Sequence, residues 1–150
     1  MRKAEKVNLG QLVLRAFYWI DESFQRNLQE QGGPRVTHAQ SMVIMTIGEG
    51  IQRPSQIAER LGVTRQAVHQ CLQELIRINL VELVVDPNDR RAKIARLSAQ
   101  GEPVRKMASR IFAELERELA TRMDRKEVQQ FRKILERDWG PLPSLQTEKH

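Results

Sequence analysis

The sequence predicts a mainly α-helical chain carrying one small β-hairpin, an α+β fold. Three observations carry that prediction. Apolar residues recur at three-and-four spacing along most of the length, which places them on one face of successive helices. Several of these stretches open on a residue able to cap a helix, and most close near a glycine or an asparagine. Only two short runs favour strand, Leu80–Val85 and Ala92–Leu97, and they flank the turn-forming Asp86-Pro87-Asn88.

The first helix is expected to start at Asn8, which caps it, with Gln11 completing a capping box and Val7 stapled against Leu12. Leu9, Leu12, Val13, Ala16, Ile20, Phe24 and Leu28 share its apolar face, and Gly32-Gly33-Pro34 ends it. Thr37 and Gln40 form a second capping box, opening a short helix that reaches Gly48. Pro54 suits the first position of the next helix, which stops at Gly62. Thr64 caps a fourth helix that is expected to turn Val68, Cys71, Leu72, Leu75 and Ile76 inward, and Asn79 accepts the left-handed geometry of its end. After the hairpin, Gly101-Glu102-Pro103 precedes a long helix expected to start at Pro103, with Val104, Met107, Ile111, Phe112, Leu115, Leu119 and Met123 on one side. Asp124 and Glu127 form a further capping box, with Met123 stapled to Val128, for a last helix running through Phe131 and Leu135 to Trp139. Residues 140–150 are expected to form a loose tail.

At 150 residues the chain reads as one domain with helical extensions. A domain of that length buries roughly 70% of its unfolded surface and needs no covalent staples. With 25 basic against 19 acidic residues the formal charge is +6, which steers the protein towards polyanions. Cys71 is the single cysteine, so no internal disulfide is expected, in keeping with a reducing cytoplasm. The basic N-terminus lacks the pattern of a secretory signal, and no apolar run is long enough to cross a bilayer. A soluble, cytoplasmic protein with no membrane partner is the expectation.

Two short helices joined through ERLGVTRQ read as a helix-turn-helix, and a hairpin following directly makes it a winged one. The fourth helix has the amphipathicity that reading DNA in a major groove demands. Its apolar face is anchored, and Arg65, Gln66, His69, Gln70 and Gln73 share the opposite side. Arg suits guanine and Gln suits adenine through paired hydrogen bonds, while Thr64 and the first-turn amides suit a phosphate. A solvated amphipathic helix carries the same pattern, and the hairpin tip beside it tips the balance. Arg90 and Arg91 stand where a slim tip enters a minor groove, with Asp89 expected to brace one arginine and Lys93 and Arg96 to continue along phosphates.

The run from Thr37 to Gly101 resembles the MarR family of winged helix-turn-helix transcriptional regulators. The matching pieces are THAQSMVIMTIGEG, PSQIAERLGVTRQAVHQCLQELIRINLVEL and DPNDRRAKIARLSAQG. The last is the most diagnostic, since the family signature places Asp, Arg, Leu, Ser or Thr, and Gly where Asp89, Arg91, Leu97, Ser98 and Gly101 stand. The resemblance implies that Arg91 enters the minor groove with Asp89 as its partner. Asn79 stands where the family commonly has Gly, and Leu83 where it commonly has a basic residue. The flanking helices also match in position and length.

Residues 8–31 and 103–139 are expected to supply dimerisation helices around a DNA-binding winged helix at 37–98. Phe17, Ile20 and Phe24, with Ile111, Leu115, Leu119, Phe131 and Leu135, are candidates to pack across a two-fold axis as a homodimer. The resemblance also implies a small aromatic effector, for which Arg15, Tyr18, Trp19, His38 and Met42 are candidate lining residues. Cys71 is in phase with Val68 and Leu75 and is expected in the core rather than as an oxidant sensor. His38, His69 and His150 lack metal-ligand spacing, and no nucleophile–base pair or phosphate-cradling loop appears. No metal, no cofactor and no enzyme activity are therefore expected. The leading function is a DNA-binding transcriptional regulator, a repressor of a pseudo-palindromic operator. A nonspecific architectural DNA binder and a protein-interaction adaptor are the alternatives.

Overall fold

A computed structural model describes residues 6–144, in the order α1 (Leu9–Glu30), α2 (His38–Gly48), α3 (Pro54–Leu61), α4 (Arg65–Arg77), β1 (Val81–Asp86), β2 (Asp89–Leu97), α5 (Gly101–Arg122) and α6 (Arg125–Leu135). The expected mainly α fold with one antiparallel hairpin is therefore present. The chain divides into two compact units, one ending at Leu115 and the other starting at Glu116.

Local chemistry sets the helix starts. The Asn8, Thr37 and Asp124 side chains each accept the backbone N–H three or two residues on, and the glutamine or glutamate at the third helical position returns the bond to the cap. Thr64 Oγ1 accepts the Ala67 amide at 3.1 Å, starting α4. The left-handed backbone falls at Gly62 after α3 and at Asn79 after α4, with φ of 65° and 61°. Asparagine tolerates that geometry better than other side chains do, so Asn79 substitutes for glycine at low cost. Of the expected staple residues, Val7, Leu12 and Met123 stand exposed and Val128 is buried.

In the first unit, α1 to α4 enclose a core with the base of the hairpin and the start of α5. Leu72 and Leu75 of α4 meet Ile44 of α2 and Ile57 of α3 there, and each such side chain contributes about 1.5–3 kcal/mol on burial. Phe24 of α1 and Phe112 of α5 stack with ring centres 4.5 Å apart. Phe24 and Ile111, expected across a two-fold axis, are only 1% exposed and belong to this chain's own core. Both fit the three-and-four stripe of an interface as well as that of a core, so spacing alone could not separate the two.

The base of the hairpin is fastened by the motif LSAQG. Ser98 Oγ donates to the Asn79 carbonyl at 2.5 Å and accepts the amides of Gly101 and Gln100 at 3.0 and 3.2 Å. One hydroxyl thus joins the end of α4, the foot of β2 and the first residue of α5. A Cβ on Gly101 would strike the Leu80 carbonyl, so the close approach there demands glycine. Because Ser98 and Gly101 start α5, it begins two residues ahead of the expected Pro103, and the proline sits in its first turn, where no intrahelical N–H is needed.

In the second unit, Arg132 of α6 pairs with Glu116. Here α6 ends at Leu135 rather than at Trp139, with Glu136 as its C-cap. Trp139 folds back so that its indole N–H donates to the Ile134 carbonyl at 3.3 Å, and Gly140 takes a φ of 74°. Phe131, Ile134 and Leu135 of α6 stand exposed, as do Leu9, Leu12 and Val13 of α1. Residues 140–144 carry no regular structure, and the remainder of the expected tail, with His150, lies outside the described residues.

Candidate nucleic-acid interface

The side chains of α4 expected to meet DNA are exposed. On α4, Val68, Leu72 and Leu75 are buried, Ile76, expected inward, is exposed at the edge of that stripe, and Arg65, Gln66, His69, Gln70 and Gln73 are exposed. The helix is short, so its orientation is set by neighbours rather than by its own propensity. Besides the core, Glu74 of α4 is held by Gln40 of α2: Gln40 Nε2 donates to Glu74 Oε2 at 2.6 Å, and Gln40 Oε1 accepts the Thr37 amide at 2.9 Å. Sequence reading saw only the capping half of Gln40. Its second bond crosses 34 positions and leaves no local signal.

Strand β2 starts at Asp89, three residues before the expected Ala92, so the loop is only Pro87-Asn88. Asp86 pairs with Asp89, and the next paired residues are Val85 and Lys93. Arg90, Arg91 and Ala92 therefore fall on β2 opposite no residue of β1, a bulge of the kind that redirects side chains at a sheet edge. Asp89, Arg90, Arg91 and Lys93 are all exposed.

Among the described residues, Asp89 braces no guanidinium. Its Oδ1 accepts the backbone N–H of Arg91 at 3.0 Å, so it shapes the chain that carries the arginine. Arg96 is also engaged otherwise: it donates to Glu82, its cross-strand partner, at 2.8 and 2.9 Å. The pair neutralises a charge expected to face phosphate. Opposite charges facing each other across an antiparallel pair attract, and the strand register was needed to see it.

At the turn itself, Asp86 holds an arginine from outside the hairpin. Arg53, the residue before Pro54, donates through Nε and Nη2 to Asp86 Oδ2 at 2.9 and 2.6 Å. Asp86 Oδ1 accepts the Asn88 amide at 2.8 Å, closing the turn, and the residue is only 3% exposed. The Asn88 amide first, and the Arg53 guanidinium second, hold its carboxyl below the usual range. The Asp-Pro-Asn turn was legible in sequence; the partner 33 positions away was not.

The candidate effector residues are only partly brought together. Phe17 lies edge-on to His38 with ring centres 4.6 Å apart and touches Tyr18 at 5.6 Å, while His38 Nδ1 meets Asp21 Oδ1 at 3.1 Å. Arg15 stands exposed, and Trp19 and Met42 are half-buried. Phe17 and Asp21 were not among the sequence-predicted lining residues. Cys71 packs against the core, and burial, then the Glu74 carboxylate, push its thiol above the ordinary range. Among the described residues no helix is long and apolar enough to cross a membrane.

Comparison with known proteins agrees with this geometry. Residues 36–92 match the model of the MarR family. Apo wild-type MarR from E. coli is 23% identical, with 87% of this chain and 96% of that chain covered and a TM-score of 0.67. A cysteine-to-serine mutant of E. coli MarR complexed with operator DNA is 24% identical, covering 85% and 90% of the two chains, with a TM-score of 0.71. The S. aureus MepR–DNA complex is 22% identical over 87% and 94% of the two chains, with a TM-score of 0.70. No curated protein matches the chain by sequence. Residues 36–92 thus match the MarR family model, and the chain shares its fold, with the helix-turn-helix, the hairpin and both flanking helical regions, with these solved structures.

Proposed function

We propose that this chain is a sequence-specific repressor that binds duplex DNA as a homodimer in the cytoplasm. The observation that carries the reading is the pairing of two exposed probes in one unit. Helix α4 turns Arg65, Gln66, His69 and Gln70 outward from a fixed core, and the hairpin presents Arg90 and Arg91 in a bulged stretch. Arg65, Gln66, His69 and Gln70 read base edges in the major groove, and Thr64 with the helix N-terminus meets phosphate. Arg91 enters the minor groove, with Arg90 and Lys93 on the flanking backbone and Asp89 shaping the chain between them. MarR and MepR bound to DNA lend the reading support through their shared fold.

The dimer follows from surface left uncovered. Residues 8–31 and 103–139 supply its helices around the DNA-binding region 37–98, and the exposed apolar residues of α1 and α6 are covered by the partner copy. Two α4 helices about 34–36 Å apart then meet successive major grooves of a pseudo-palindromic site. A small aromatic effector binding beside Tyr18, Phe17 and His38, within reach of Arg15, Trp19 and Met42, shifts the dimer towards a spacing that no longer fits.

Sedimentation of the purified protein, alone and with a duplex enriched from random DNA, tests this reading. The expected species is a dimer that binds one duplex, with affinity for the enriched sequence at least a hundredfold above that for a scrambled one, less than many specific binders achieve. Equal affinity for both duplexes with a steep salt dependence would leave a nonspecific architectural binder. No binding at moderate salt would leave a protein-interaction adaptor.

A further inference from the structure

We infer that Arg53 is a positioning residue for the wing: its bond to Asp86 latches the hairpin turn to the N-terminus of α3 and so sets where Arg90 and Arg91 are held. The inference rests on the DNA-binding reading above and assigns a role to a residue outside both the recognition helix and the wing.

Three fastenings hold the hairpin, at increasing distance from its foot. Ser98 ties the base to Asn79 and Gly101. Midway, the Ala95 amide donates to the Gln52 carbonyl at 2.8 Å. Asp86 lies three residues beyond Leu83, the partner of Ala95, a reach of about 10 Å. Past that midpoint the hairpin is two strands wide, and an isolated two-stranded ribbon is marginally stable in water. At its far end the Arg53 guanidinium meets the carboxylate that also closes the Pro87-Asn88 turn. Gln52 and Arg53 are adjacent, so one segment entering α3 clamps the wing by main chain and by side chain. Immediately after the latch comes the bulge of Arg90, Arg91 and Ala92, which has no cross-strand partner of its own. The ordering of those arginines before DNA arrives therefore depends on Asp86 staying fixed. A latched wing has already lost the freedom that a loose one gives up on binding.

The sign of one substitution separates this role from a direct contact. Asp86→Asn leaves an oxygen for the Asn88 amide but turns an NH2 group towards the Arg53 donors, so it opens the latch. It also removes a negative charge from a surface that meets phosphate and frees the Arg53 cation, and on electrostatic grounds alone it would tighten binding. The latch predicts the reverse: about tenfold weaker binding to the enriched duplex, the scale of a lost charged hydrogen bond. Arg53→Met should weaken binding similarly, and the double variant should be no worse than either alone. In an Arg91→Ala background, Asp86→Asn should cost less than about twofold, because the latch acts through that arginine.

Amide hydrogen exchange of the DNA-free protein supplies the second readout. In Asp86→Asn, the amides from Asn88 to Ala92 should exchange faster while Gly101 keeps its protection. Affinity equal to or above wild type, full additivity with Arg91→Ala, or equal loss of protection at the tip and the base would each overturn the latch. A wild-type protein that enriches no sequence would instead defeat the DNA-binding reading, and the exchange data would still judge the latch.

Discussion

Removing one oxygen atom, by Ser98→Ala, should loosen the joint between α4, the hairpin and α5. In the wild type that oxygen caps α5 through the Gly101 amide at 3.0 Å and donates to the Asn79 carbonyl at 2.5 Å. Loss of a serine cap costs about 1 kcal/mol. The bond to Asn79 adds about 0.5–1 kcal/mol, since water replaces it only in part. The Gly101 amide keeps a second acceptor, the Ser98 carbonyl at 3.1 Å, which holds the total near 1.5 kcal/mol rather than higher. With an unfolding entropy of about 2.1 cal/mol/K per residue, a 150-residue chain should lose about 5 °C in Tm. Thermal unfolding followed by circular dichroism, at one protein concentration so that self-association does not shift the midpoint, measures this. A change below about 1 °C would refute the claim that Ser98 is a structural joint and would reduce the LSAQG motif to a glycine requirement.

Arg91→Ala should cost roughly 1–3 kcal/mol per half-site on an enriched duplex, read by fluorescence anisotropy at fixed salt; unchanged affinity would remove Arg91 from the interface. Gln70→Ala should relax the preference at particular base pairs while leaving nonspecific affinity intact, which sequencing of duplexes selected by the variant would reveal. The Asp86 carboxyl is held below its usual range in the folded protein, so its stabilising effect is complete at neutral pH and disappears as pH falls through that lowered value, below about pH 4. An NMR titration of the Asn88 amide should show that transition in wild type and not in Asp86→Asn.

How much was legible in the sequence follows the range of each interaction. The helix caps at Asn8, Thr37, Thr64 and Asp124 were readable because each bond spans two or three residues. The inward face of α4 was readable because a period of 3.6 separates Val68 and Leu72 from Gln66 and Gln70. What could not be read was pairing at a distance. The early start of β2 depends on the cross-strand register, and strand propensity alone does not assign Asp89-Arg90-Arg91 to a strand. The same register decides that Arg96 meets Glu82 rather than solvent. Phe24 and Ile111 show the converse limit, because an apolar stripe does not say whether its cover is the same chain or another copy.

Selection of bound sequences from random duplex DNA by the purified protein tests the central claim most directly. Two copies presenting α4 and an arginine-bearing wing to successive turns should enrich a motif with two-fold symmetry, its half-sites about 10 base pairs apart and flanked or interrupted by A·T-rich steps where the wings enter. A pool that emerges without a motif, or one enriched in a single asymmetric half-site, would contradict it.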